Sequence, residues 1–342
     1  MGKLRIASLF CGCGGTDVGA IGDFTFLGVH YPRLKSEIVF ANDFEQKACD
    51  IFDSNFNIRA DRRDIRLVDS GDIPKHDVLI AGFPCQSFSI LAQNPPRLGN
   101  KDEKGKLFFE IVRILKHHSP KYFVCENVKG LISANNGKAF PLIIQEFIQV
   151  GYNVFYKILN SKYYGVPQKR ERVIIIGIRK DIKAEYNFPE PILDEEDLVP
   201  LSKVVEKKVE EKYYFSQKAI DGMRRSNRLS RSKMNKGRAQ DLRNPCNTVT
   251  AHLAKVTLNG TDPVLMEGKR FRRFTPREVA RIQSFPENFK LLGSDASQYR
   301  ALGNAIPPVL FWHIMEELIS LDMSIEKMRI KEKSVLKKIS PN

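Results

Sequence analysis

The chain has 342 residues, 42% of them hydrophobic, with 55 Lys+Arg against 40 Asp+Glu for a formal net charge of +15. That length is too great for one small core and suits two domains of unequal size, and no stretch approaches the roughly 18 apolar residues a membrane span needs. Six cysteines without regular spacing point to a reducing, cytoplasmic setting rather than a disulfide framework.

In chain order, the N-terminus runs straight into strand-like sequence, so no secretion signal is expected. Gly2 is no myristoylation site, because Ile6 stands where Ser or Thr is needed. Leu4 to Phe10 reads as a strand, and the turn Gly12-Cys13-Gly14-Gly15 leads into a short helix from Thr16. Glu37 to Ala41 is a second strand, followed by helical spacing from Gln46 to Phe56. Further strands are expected at Asp77 to Ala81, Tyr122 to Cys125, Asn153 to Leu159 and Arg172 to Ile178, with helices near Leu107 to His117 and Pro141 to Val150. Strands separated by helix-length segments indicate an α/β fold, a parallel-type sheet with helices on both faces.

The pattern changes after Ile178. Asn187 to Pro191 reads as a linker, and from there to about Gly268 the sequence is polar, basic and weakly periodic. Leu201 to Gly260 holds 14 Lys+Arg and 5 Asp+Glu, so nine of the fifteen net charges fall in about a sixth of the chain. Such concentration favours contact with phosphates over general solubility. Regular sequence resumes where Thr275 caps a helix, Pro276 occupies its first turn and Glu278 closes a capping box. The lysine-rich stretch Lys327 to Lys338 reads as a solvated helix face or frayed tail.

Several residues carry chemistry by position. The first glycine turn allows close backbone approach, and Asp43 follows the second strand where an acidic side chain can take both hydroxyls of a ribose. Surface turn residues are the plainer alternative. Cys85 lies just past the third strand's carboxyl end, after Pro84 and among Gln86, Ser87 and Ser89. That setting suits a nucleophile, although free cysteines are often simply buried. Glu126 ends the next strand and could be an acid, a hydrogen-bond partner or a turn cap. In Gln168-Lys169-Arg170-Glu171-Arg172, alternation places Gln168, Arg170 and Arg172 on one side and Lys169 and Glu171 on the other. Cys11-x-Cys13 has no second Cys/His pair at ligand spacing, so no metal is expected.

In order along the chain stand Phe10-x-Gly12-x-Gly14-Gly15, Gly82-Phe83-Pro84-Cys85-Gln86-x-Phe88-Ser89, Glu126-Asn127-Val128, Gln168-x-Arg170-x-Arg172-Val173, Arg273-x-Thr275-Pro276-Arg277-Glu278-x-Ala280-Arg281-Ile282-Gln283 and Gly303-Asn304-Ala305-Ile306-Pro307. Together they resemble the DNA (cytosine-5)-methyltransferases, particularly the compact bacterial enzymes of restriction–modification systems. The resemblance spans residues 4 to about 310, interrupted over the variable stretch of about 190 to 270. It implies a Rossmann-like, S-adenosylmethionine-dependent methyltransferase sheet and a smaller DNA target-recognition domain. The expected division is 1–188 for the first part of the catalytic domain, 189–288 for target recognition, and 289–342 for a hinge and a helix returning beside the first strand.

By the same resemblance, Phe10, Gly12 and Gly14 line the cofactor site, Asp43 holds the ribose, Phe44 stacks on adenine, and Asp64 and Ile65 border its edge. Pro84, Leu107, Asn304 and Ala305 complete the pocket. Cys85 attacks the sixth carbon of a flipped-out cytosine, which makes the fifth carbon nucleophilic toward the methyl group. Glu126 holds N3 and the exocyclic amine, and Arg172, with Arg170 beside it, faces the carbonyl oxygen. Gln86, Ser87 and Ser89 belong to a loop that closes over DNA, and Thr248 and Thr250 lie near the flipped base. The expected partner is double-stranded DNA, with a cognate restriction endonuclease acting on the same site, and the protein is expected to be monomeric. A tRNA-methylating relative and a catalytically idle DNA-binding regulator are the alternatives.

The basic stretch gives a first test. If Arg224, Arg225, Arg228, Arg231 and Lys233 track phosphates, neutralising them flattens the log–log salt dependence of DNA affinity by about 0.9 for each phosphate no longer neutralised. Cognate and scrambled duplexes should show this alike across a salt series. A wild-type slope in the neutralised protein would reduce the cluster to a solvated surface.

Overall fold

The computed structural model describes residues 2–83, 107–221, 238–254, 262–268 and 270–339. The first half alternates as expected. β1 (Leu4–Leu9) leads into α1 (Gly15–Ile21), a hairpin of β2 (Phe24–Phe26) and β3 (Val29–Tyr31), then β4 (Ser36–Asn42) and α2 (Gln46–Asn55). β5 (Val78–Gly82), α3 (Leu107–His118), β6 (Tyr122–Val128), α4 (Ala139–Gln149), β7 (Tyr152–Asn160), the short β8 (Gln168–Lys169) and β9 (Glu171–Arg179) follow. The second half is sparser: β10 (Cys246–Asn247), β11 (Leu265–Glu267), β12 (Arg270–Arg272), α5 (Pro276–Ile282), α6 (Asp295–Asn304) and α7 (Pro308–Ile339).

Six strands form one sheet in the order β4-β1-β5-β6-β9-β7. β1 pairs in parallel with β4 and β5, and β5 with β6, whereas β9 runs antiparallel to both its neighbours. Strand alternation builds two cores. Val78 and Ile80 face one side with Ile6, Val124 and Ile176, where α1 and the first half of α7 cover them. Leu79 and Ala81 face the other with Leu9, Phe123 and Ile175, beneath α3 and α4. The central strands β1, β5, β6 and β9 are buried on both faces over most of their length, which is why they read as apolar runs, whereas the edge strand β7 is partly exposed.

α7 returns to this sheet along α1. Trp312 Nε1 donates to the Pro32 carbonyl at 2.9 Å, and Asp322 accepts from the Tyr122 hydroxyl at 3.1 Å. The lysine-rich stretch belongs to the same continuous helix, with Met328 and Ile330 exposed on it.

Residues 201–302 share the first core through Leu201, Val204, Tyr213, Val249, Leu265 and Phe274. Their loops leave and return at backbone clasps. Leu201 and Ser202 donate to the carbonyls of Asn244 and Leu242, Phe215 donates to Phe271, Arg273 to Tyr213, and Gln240 to Val264. The capping box stands as read, with Thr275 Oγ1 accepting from the Glu278 amide and Glu278 accepting from the Thr275 amide. Glu278 is fully buried and also accepts two bonds from Arg272, at 2.7 and 2.8 Å, while Arg272 reaches Glu267 with its Nε.

Removing one partner of a buried ion pair strands the other charge, which costs far more than the pair contributes. Arg272→Leu should therefore lower unfolding free energy by about 3–5 kcal/mol, measured by denaturant titration. A loss within the scatter of a surface substitution would show that this buried pair does not hold β12 to α5.

Candidate active site

Register decides what meets at the carboxyl rim of the sheet. Leu9 is level with Asn42 and with Ala81, and Gly82 is level with Glu126. Phe10, Asp43 and Phe83, which leave these strands, and Glu126, level with Gly82 inside β6, therefore arrive at one edge, where open α/β sheets bind their ligands. β9 runs the other way and enters at the same edge, with Arg172 opposite Val128.

At the β1 and β4 ends, the Gly12 amide donates to Asp43 Oδ2 and the Glu45 amide to Asp43 Oδ1, each at 2.8 Å. Burial pushes the Asp43 carboxyl above the usual carboxylate range, and these two amides pull it back. Two φ-positive glycines make the turn, Gly12 at 56° and Gly14 at 91°. A Cβ on Gly12 would meet nothing within 4 Å, so open space lies directly over the turn. Phe44 is 63% exposed beside it. Ala305 packs against Gly15, and Asn304 is exposed next to it. Phe10 packs on the second core with φ of 56°, and Leu107 starts α3 at its margin. A carboxylate fixed by backbone donors, an open glycine turn and an exposed aromatic ring fit a ribose, a close-approaching amino-acid tail and an adenine ring.

Asp64 and Ile65 are less available. The Asp64 carboxylate caps the turn Ile65–Leu67 and binds Arg66 Nη2 at 2.5 Å, which holds its carboxyl below the usual range. Ile65 is buried in the second core, and its carbonyl accepts from Arg113.

At the β6 end, Glu126 Oε1 lies 2.7 Å from Arg172 Nε, each side chain about one-tenth exposed. A Cβ on Gly82 would stand 3.8 Å from Glu126 Oε2 and from Ile306, so the strand leading toward Cys85 passes directly beside the carboxylate. Asn127 is buried and donates to the Phe83 carbonyl at 2.9 Å, fixing the last described residue of that strand. Sequence reading assigned Asn127 no role; a buried polar side chain at a strand end is the signal that finds it. Pro84, Cys85, Gln86, Ser87 and Ser89 lie outside the described residues, as do Arg224, Arg225, Arg228, Arg231 and Lys233.

Alternation around Arg170 is as read: Gln168 and Arg170 are buried, and Lys169 and Glu171 are exposed. The Arg170 guanidinium is consumed by two backbone carbonyls, Val249 and Gly303, each at 3.1 Å. Burial and then the charge of Arg172 push its pKa well below the ordinary value, against Glu126. The carbonyl contacts tie Arg170 to the main chain on both sides. Thr248 donates to the Lys169 carbonyl at 2.7 Å and lines an open cleft of about 510 Å³ with Arg172, Lys129, Lys169 and Asn160. Thr250 is turned inward, donating to Asp262 at 2.6 Å.

The family model of C-5 cytosine-specific DNA methylases matches residues 4–320. The chain belongs to this family. The type II methyltransferase M1.ScrFI of Lactococcus lactis subsp. cremoris is 34% identical over 324 residues, covering 93% of this chain and 79% of that protein. M.FnuDI of Fusobacterium nucleatum is 33% identical over 353 residues, covering 95% and 97%. In fold, the Dnmt2 methyltransferase of S. pombe matches with a TM-score of 0.71 over 93% of this chain and 98% of its own, at 21% identity. This methylase is thus a DNA (cytosine-5)-methyltransferase, with S-adenosylmethionine as methyl donor. No helix among its described residues is long and apolar enough to cross a membrane.

Asp43 offers the direct test of the cofactor rim. A charge-assisted bond to a ribose hydroxyl is worth about 1.5–3 kcal/mol, so Asp43→Ala should weaken S-adenosylmethionine binding by that amount in calorimetry. An unchanged dissociation constant would place Asp43 outside the pocket.

Proposed function

We propose that this methylase modifies a specific cytosine in double-stranded DNA through a covalent Cys85 adduct to a flipped-out base. The Glu126–Arg172 pair carries the reading, because it sets an acceptor and a donor 2.7 Å apart at the rim where the Cys85 strand ends. Cytosine presents the complementary edge: Glu126 would accept from the exocyclic amine and stabilise charge at N3, while Arg172 would donate to the carbonyl oxygen. Attack of the Cys85 thiolate on the sixth carbon forms a C–S bond and moves the electron pair to the fifth carbon. After methylation there, loss of the fifth-carbon proton returns the pair and expels the thiolate.

Asp43, Gly12, Gly14, Phe44 and the Asn304–Ala305 turn would hold S-adenosylmethionine, which supplies an electrophilic methyl on sulfonium. Phe10, Pro84 and Leu107 would line the same pocket, with Asp64 and Ile65 at its edge through backbone rather than side chain. Gln86, Ser87 and Ser89 would close over the duplex, Thr248 would face the target strand, and the basic residues from Arg224 to Lys233 would track phosphates. Residues 1–188 and 289–342 would form the catalytic body and 189–288 the target-recognition domain. A cognate endonuclease fits the type II names of the relatives, and a monomeric state and a cytoplasmic location complete the proposal.

Cys85→Ser should abolish methyl transfer while leaving S-adenosylmethionine affinity near wild type. A duplex with 5-fluorocytosine at the target should trap a denaturation-resistant adduct in the wild type, because fluorine cannot leave as the proton does. Near-normal turnover in the serine protein would remove Cys85 from the mechanism.

A further inference from the structure

Two buried glutamines join the element that carries Thr248 to the turn that carries Asn304. The Val249 amide donates to Gln168 Oε1 at 3.0 Å, Gln168 Nε2 donates to Gln283 Oε1 at 2.7 Å, and Gln283 Nε2 donates to the Leu302 and Ala305 carbonyls at 2.6 and 3.2 Å. Both glutamines are fully buried. The chain has one polarity, since rotating either amide would oppose donor to donor or acceptor to acceptor.

Arg170 provides a second link between the same ends, from the Val249 carbonyl to the Gly303 carbonyl. The backbones also touch directly. A Cβ on Gly303 would fall 2.2–2.3 Å from backbone atoms of Thr250 and Ala251, so only glycine permits this approach. Residues 249 and 302–305 therefore cannot shift independently without leaving buried donors or acceptors unpaired, which is the costly outcome for groups in a dry interior.

We infer that the Gln168–Gln283 relay, with Arg170 beside it, couples cofactor binding to the placement of the DNA-facing element. This rests on the reading that the Asn304 turn borders the cofactor and Thr248 the DNA. A ligand that fixes the Leu302–Ala305 end removes freedom at Val249 before DNA arrives, so each ligand tightens binding of the other by the same factor. Gln168, Gln283 and Arg170 touch neither ligand and act as positioning residues.

Hydrogen exchange of the wild-type protein with and without S-adenosylhomocysteine, in the absence of DNA, tests this. Slower exchange is expected both in residues 299–306 and in residues 246–251. Protection of 299–306 without any change in 246–251 would overturn the coupling. No protection at 299–306 would instead overturn the placement of the cofactor at that turn, and the coupling with it. Gln283→Leu supplies the second arm, on a duplex the enzyme methylates. Wild-type DNA affinity should rise by about 5–150-fold when S-adenosylhomocysteine is bound, and that ratio should fall toward one in the variant. A merely structural role would weaken both affinities and leave the ratio intact, which would sink the proposal; if the variant does not fold, the wild-type exchange data decide.

Discussion

Parallel strands that end level with one another are the constraint from which the rest of this enzyme follows. Phe10, Asp43, Phe83 and Glu126 reach one rim only because β1, β4, β5 and β6 share direction and register. A one-residue slip in β6 would turn Glu126 to the opposite face of the sheet and bury it in an apolar layer. The reversed β9 then delivers Arg172 to that carboxylate from the opposite direction. Each charge there meets its opposite, so neither is desolvated without a partner.

Beyond the sheet, buried polar groups do the fixing. Arg272 and Glu278 hold the hairpin β11–β12 onto α5, and the Gln168–Gln283 pair with Arg170 holds the Thr248 element against the Asn304 turn. Such contacts add little net stability when intact, yet are costly to break. They serve geometry: side chains from four separated stretches of chain keep a single relative placement at a rim where a displacement of about 1 Å matters to rate.

The six sheet strands were legible to within a residue or two, apart from β6, which runs on through Glu126 to Val128. Apolar runs such as Val78–Ala81 can be buried on both faces in only one way once helices flank them. The capping box at Thr275 was equally plain, because its residues interact within one turn. The hairpin β2–β3 was not visible, since its turn is Leu27-Gly28 rather than a pair such as Asn-Gly, and Leu27 holds φ at 48°. Arg170 shows the harder limit. Alternation gave its side of the strand, but its partners Val249 and Gly303 lie 79 and 133 residues away, where no local pattern reaches. Gln283 and Asn127 escaped functional notice for the same reason: each is defined by what it meets across the fold.

The main-chain clasps in the second half have a consequence for how such an enzyme changes over time. Leu201–Ser202 with Leu242–Asn244, and Tyr213–Phe215 with Phe271–Arg273, are joined by backbone hydrogen bonds, so that part of the closure does not depend on which side chains the loops between them carry. Lengthening a closed loop is entropically cheap, at about 0.6 kcal/mol for each doubling. The stretches between the clasps can therefore be relettered, shortened or exchanged wholesale while the rim stays as it is. Under the target-recognition role proposed for this half, target preference becomes a replaceable cassette, inherited separately from the chemistry it directs.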